Sequence, residues 1–152
     1  MSGALYVTIW LALVCSVAAE SGKRFAVRRR VLPRWTTPVS ALGIALLLTH
    51  IALAFHVKYD WNHAVAVRET ARQTSATFGL DWGGGVYINY LFALVWAIDS
   101  WWWHTHPAEA AARPAALRWA LRIFYVTIVF NGAVVFVPGL HRWLGAALTL
   151  WL

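Results

Sequence analysis

The sequence predicts an all-α, polytopic membrane protein. Four transmembrane helices are expected at about residues 4–19, 39–57, 84–103 and 119–138. An amphipathic surface helix is expected at about 61–78 and an interfacial segment at the C-terminal end, the whole forming one domain over residues 1–152. Three observations carry this reading. Hydrophobic residues make up 61% of the chain and fall in long blocks. Charged residues make up 12%, about half of the ~25% usual in soluble domains. There are eleven tryptophans, a residue that favours the membrane interface, where the ring is half buried and its N–H stays wet.

The first apolar run is ALYVTIWLALVCSVAA, residues 4–19. A signal peptide is the competing interpretation, since Val17 and Ala19 fit a small-residue cleavage pattern. The run has no basic residue before it and a dense basic cluster behind it, which opposes translocation, so a retained span is expected. Residues 20–38 read as a basic loop holding Lys23, Arg24, Arg28, Arg29, Arg30 and Arg34, six of the thirteen Lys and Arg residues. Such clustering orients a membrane protein and touches anionic lipid; it excludes nucleic acid as the expected partner of the +7 chain. Thr36 or Thr37 is a candidate cap for the second span.

The second span, VSALGIALLLTHIALAFHV, contains His50 and His56. The 58–82 segment is too polar to be buried; either Asp60 caps a helix running from Trp61 to about Phe78, or the second span continues through it. The third span follows three glycines, Gly83 to Gly85, that match neither a phosphate loop nor a dinucleotide fingerprint. It carries Asn89 and Asp99 and ends in Trp101, Trp102 and Trp103. A Pro- and Ala-rich loop leads to the fourth span, with Asn131 inside it and Pro138-Gly139 at its end. The tail beyond His141 is too short to span again. Loops at 20–38 and 104–122 hold nine Lys and Arg against four in 58–82 and the tail, so both termini are expected outside, with the 20–38 loop cytoplasmic. A bacterial inner membrane is the expected location. The single Cys15 excludes an intrachain disulfide and is expected to be a packing residue.

Chemistry is sought first in HIALAFHVKYDWNH, residues 50–63. On an unbroken helix, Asp60 lies about +40° and His63 about −20° from His56, a narrow stripe at ~100° per residue. Imidazole and carboxylate at that spacing suit a divalent metal, Zn or Fe, with His141 expected at the same surface and Glu69 as a candidate base. A capping role for Asp60 would break the helix and dissolve the stripe. Bis-histidine haem ligation is disfavoured, because the residue level with His50, about 10 Å inside its span, is Asn131 rather than a second His. A His50–Asn131 hydrogen bond fits the depths better. Asp99 is a functional candidate by virtue of lying inside a span, where a carboxylate is costly, although it sits near the cytoplasmic end and a basic side chain or Trp N–H could satisfy it.

Three functional classes follow. The preferred one is a non-enzymatic structural or accessory subunit whose partners are the bilayer and another membrane protein. The alternatives are a metal-dependent enzyme using the outer His/Asp site, and a proton or small-solute transporter using Asp99.

Overall fold

The computed structural model describes residues 3–135, 139 and 141–152. It is helical throughout, with no strand among the described residues. The helices are α1 (Gly3–Arg29), α2 (Thr36–Lys58), α3 (His63–Phe78), α4 (Gly85–Thr105), α5 (Pro107–Ala112), α6 (Ala115–Phe130) and α7 (His141–Trp151). A π-helical turn, Asn131–Val135, extends α6.

Among the described residues, three helices are long and apolar enough to cross a membrane: α1, α2 and α6 with its π turn. Helix α4 has 21 residues but falls short on composition. Its tryptophans, Asn89, Asp99 and Ser100 lower its mean hydropathy. The polytopic membrane class therefore stands at three spans by this measure.

The first helix departs most from expectation. It runs ten residues past Ala19, so most of the expected basic loop is helical. The reason lies in a seven-residue repeat of buried positions. Leu5, Ala12, Ala19 and Ala26 are all exposed by 2% or less. Seven residues make nearly two full turns, so these side chains fall along one seam facing the bundle. The seam continues beyond the apolar run, and Lys23, seven after the buried Ser16, lies on it. Helix α1 ends where Arg30 takes a left-handed backbone (φ 61°) and donates its N–H to the Ala26 carbonyl at 2.8 Å.

Helix α2 returns along α1, the most extensive helix pairing in the fold. Neither Thr36 nor Thr37 caps it; Trp35 occupies the cap position without a side-chain bond, and Pro38 is accommodated in the first turn. At the crossing of α1, α2 and α4, Gly43 faces Cys15 and Trp96, and any Cβ there would lie 2.5–2.8 Å from them. The core is centred on this crossing: Ala12, Leu47, Phe92, Ala93, Trp96 and Tyr125 pack together. The indole N–H of Trp96 donates to Ser40 Oγ at 3.0 Å, and Ser40 shares a 2.5 Å hydrogen bond with Ser100. Trp96 thus satisfies its one donor inside the bundle.

Helix α3 falls where a surface helix is expected, but its cap is Asn62 rather than Asp60. The Asn62 side-chain oxygen accepts from the N–H groups of Ala64 (3.0 Å) and Val65 (3.3 Å). Gly79, in the left-handed conformation (φ 72°), ends the helix.

The C-terminal segment does not lie apart as an interfacial helix. Helix α7 folds back along α6 and α1. Gly145 makes this return possible, because a Cβ there would run into the Ala133 carbonyl. At its far end the Trp151 indole donates to Ser21 Oγ (2.8 Å), and Arg24 donates to the Trp151 carbonyl (2.9 Å). The chain thus returns toward the basic end of α1, not to the end that holds Gly3, contrary to the expectation that both termini share one side. The expected end of the fourth span at Pro138 lies outside the described residues.

Candidate functional site

The strongest concentration of buried charge is at the basic end of the bundle, where α1, α4, α5 and α6 converge. Asp99 on α4 is 4% exposed. Its Oδ2 accepts from Lys23 Nζ of α1 at 2.6 Å, and its Oδ1 accepts from Arg113 Nη1, just past α5, at 2.6 Å. Lys23 donates also to Glu20 Oε1 at 2.7 Å. The result is a row of alternating charge, Glu20–Lys23–Asp99–Arg113, of which Lys23, Asp99 and Arg113 are almost wholly buried.

Each member is there for a local reason. The buried seam of α1 carries Lys23 inward, and Glu20 sits one turn earlier at the i,i+3 spacing that lets the two side chains meet. On α4, Phe92, Trp96, Asp99 and Trp103 recur at helical spacing on the inward face. Arg113 is delivered by the short α5, whose Ala110 packs on Ala26 and Trp103. The Arg113 guanidinium lies 5.5 Å from the Trp102 ring centre and 5.3 Å from that of Trp103. Cation–π contact adds to the carboxylate pairing in holding it. Arg118 donates to the Arg113 carbonyl at 2.6 Å and fixes the loop between α5 and α6.

Beside this row lies a cavity of about 350 Å3. Its basic lining is Lys23, Arg24, Arg28, Arg113, Arg118 and Arg122; its acidic lining is Glu20 and Asp99. Apolar walls come from Val27, Trp119, Leu121 and Leu152. Arg122 lies over the Trp119 ring at 5.1 Å. Tyr125, Trp103 and Arg113 each hold a buried polar atom with no hydrogen-bond partner: Oη, Nε1 and Nε respectively.

No family model, curated protein or solved structure matches the chain.

At the opposite end, the expected metal stripe is not assembled. Helix α2 stops at Lys58, and Asp60 and Trp61 both take left-handed backbone (φ 47° and 55°). Two consecutive non-glycine residues in that region cannot continue a right-handed helix. The chain turns there, so the angular argument that aligned His56, Asp60 and His63 does not apply. His56 and Asp60 are exposed. The His56 ring faces Trp61, with centres 6.4 Å apart. His63 opens α3 and packs among Tyr87 (5.5 Å), Tyr90 (6.0 Å) and Phe55 (6.4 Å). The side chain of His141 lies outside the described residues. Among the described residues, no group of three or more His, Cys, Asp or Glu side chains is arranged to hold a metal ion.

The candidate base Glu69 is engaged elsewhere. Arg72 donates to both of its oxygens at 2.9 and 2.7 Å, and Gln73 donates at 3.1 Å. These bonds, chiefly those from Arg72, hold the Glu69 carboxyl down to about 2 from its ordinary 4.5. Such a group is a poor proton acceptor at neutral pH. Since the folded-state value is the lower one, the interaction is intact above pH 4.5 and is lost as pH falls toward 2. A carbonyl-detected NMR titration should show Glu69 ionised down to about pH 3, and in Arg72→Ala a return toward the ordinary carboxylate range.

The polar residues expected within spans also separate. His50 Nδ1 faces the Leu5 carbonyl (3.0 Å) and Thr8 Oγ1 (3.3 Å) on α1. Asn131 donates to the Thr127 carbonyl of its own helix at 2.9 Å. The expected His50–Asn131 bond is therefore replaced by local and α1 partners, because α1 and not α6 is the neighbour of α2 at that depth. Asn89 is exposed on α4.

Sequence reasoning named Asp99 as one candidate among several, with a Trp N–H or a basic side chain as its partner, but missed Lys23, Arg113, Glu20 and Tyr125. The available signal was the alanine repeat in α1, which continues past the apolar run to Ala26 and marks Lys23 as inward. Nothing local marks Arg113, which is placed by the turn between α5 and α6.

Proposed function

We propose that this chain is a four-span membrane protein of structural or accessory kind, resident in a bacterial inner membrane with its basic end in the cytoplasm. One observation carries the reading: the intramembrane carboxylate is tied from two sides by cations. Asp99 paired to Lys23 and Arg113 at 2.6 Å each acts as a fastening between α1, α4 and the start of α6.

The reading of α4 as a fourth span is supported by its two faces. Leu91, Leu94 and Ile98 point outward and are exposed, as residues facing lipid would be. Phe92, Trp96, Asp99 and Trp103 point inward. Its 21 residues reach about 31 Å, enough for a hydrocarbon core of ~30 Å. The orientation is supported by the charge at the α1–α2 and α5–α6 junctions.

The test has two arms. In a Cys15→Ser background, single cysteines at positions 31 and 64 are labelled with a membrane-impermeant maleimide. In intact spheroplasts the cysteine at 64 should react, and the one at 31 only after permeabilisation. Labelling of both from one side would remove the four-span reading. In-membrane crosslinking should capture a defined membrane protein, lost in Leu94→Trp/Ile98→Trp and retained in His63→Ala. A lone monomer, or Asp99-dependent flux in vesicles, would overturn the accessory role.

A further inference from the structure

The cavity at the basic end is overfurnished for a purely internal fastening. Glu20 and Asp99 are engaged by Lys23 and Arg113, while Arg24, Arg28, Arg118 and Arg122 line the same space with no carboxylate partner among the described residues. Arginine presents a planar fork of donors that suits phosphate oxygens. Three further groups on the lining residues, Arg113 Nε, Trp103 Nε1 and Tyr125 Oη, are buried without an acceptor. Buried donors are ordinarily satisfied, so a set of three beside one cavity marks a place where acceptors are missing. The volume, about 350 Å3, falls in the ~300–1,000 Å3 range of small-ligand sites. Trp119, Leu121 and Leu152 add an apolar wall to the cationic one. Cations beside an apolar wall, at the end of a membrane bundle, match an anionic headgroup carrying an acyl chain.

We propose that this cavity is a binding site for a phosphate monoester or diphosphate group, presented by a membrane lipid. Arg28 and Arg122, both exposed, take the phosphate oxygens, and Lys23, Arg113, Trp103 and Tyr125 line the same cavity. The chain lies along Trp119 and Leu121. The inference goes beyond the accessory role: failure to capture a protein partner leaves it standing, and failure to bind lipid leaves the accessory role untouched.

The experiment is native mass spectrometry of the delipidated full chain in mild detergent. It is titrated separately with phosphatidate, phosphatidylglycerol, phosphatidylcholine and soluble pyrophosphate. One phosphatidate should be retained in preference to phosphatidylglycerol and phosphatidylcholine, and pyrophosphate should displace it. Arg28→Gln/Arg122→Gln, two exposed positions whose change leaves the core intact, should weaken phosphatidate binding about 10- to 30-fold. Arg68→Gln, an exposed arginine on α3, should leave it unchanged. Pyrophosphate binding as tightly as phosphatidate would assign the site to free phosphate compounds and overturn presentation by lipid. Equal retention of phosphatidylcholine, or equal loss in Arg68→Gln and Arg28→Gln/Arg122→Gln, would overturn the site itself.

Discussion

Replacing Asp99 with alanine should be the most damaging single substitution in the chain. The carboxylate is the shared partner of two cations, and each is nearly buried: Lys23 is 3% and Arg113 8% exposed. Removing one member of a buried pair typically costs about 3–5 kcal/mol, because the remaining charge has neither solvent nor counterion. Here two charges are left, and only Lys23 keeps an acidic neighbour, Glu20. The expected result is a protein that aggregates on extraction, or melts well below the parent in detergent. Asp99→Asn should be nearly as severe, since the amide keeps the shape but not the charge. The double variant Asp99→Leu/Lys23→Met should be more stable than Asp99→Leu alone, because an apolar pair can replace a buried ion pair at little cost. Equal stability of Asp99→Ala and the parent would show that the row of charge does not fasten the bundle. The same variants speak to transport: a pump or channel that used Asp99 would lose flux in Asp99→Asn while keeping its fold.

The second large effect is expected at Trp96. It is 1% exposed, fills the space that Gly43 leaves open, and donates to Ser40. Without a hydrophobic driving force between helices in lipid, close packing and interhelical hydrogen bonds carry the association. Trp96→Ala removes both at the crossing of α1, α2 and α4. Truncating a large buried aromatic costs about 3–5 kcal/mol where the site does not collapse. Trp96→Phe keeps much of the packing and loses the bond to Ser40, so its cost should be nearer 1 kcal/mol. The converse change is informative as well. Gly43→Ala places a methyl group against Trp96 and Cys15, and such overpacking typically costs about 1–3 kcal/mol. Chemical denaturation in mixed micelles would order the three variants. Trp96→Ala matching Trp96→Phe would mean that the void closes by rearrangement of Phe92 and Leu47.

Much of the fold is legible in the sequence because membrane burial is written in long apolar runs. The runs around Ala12, Leu47 and Val129 each belong to a helix long and apolar enough to span, and the polar 58–82 stretch does hold a helix, α3. The ends of helices were less legible. Asp60 and Asn62 are both good caps by type, and only the backbone turn at Asp60 and Trp61 decides that Asn62 takes the role. That one local choice removes the alignment of His56, Asp60 and His63. The return of α7 was hidden for a related reason: an 11-residue amphipathic helix reads alike on a membrane surface and against a bundle. The close approach of Gly145 to Ala133 selects the second.

By itself the sequence determined the all-helical class, the position of the apolar segments and the place of Asp99 among the candidate residues. These depend on local composition and on the cost of charge in lipid, which any stretch of chain carries with it. Tertiary structure alone decided what Asp99 meets. Lys23 lies 76 residues from it and Arg113 lies 14, and both arrive through helix packing and a turn. Which cations gather round the cavity, and which remain unpaired there, is likewise a property of how α1, α4 and α6 meet. Pairing between distant residues depends on three-dimensional neighbours, and periodicity within one helix records only which face turns inward.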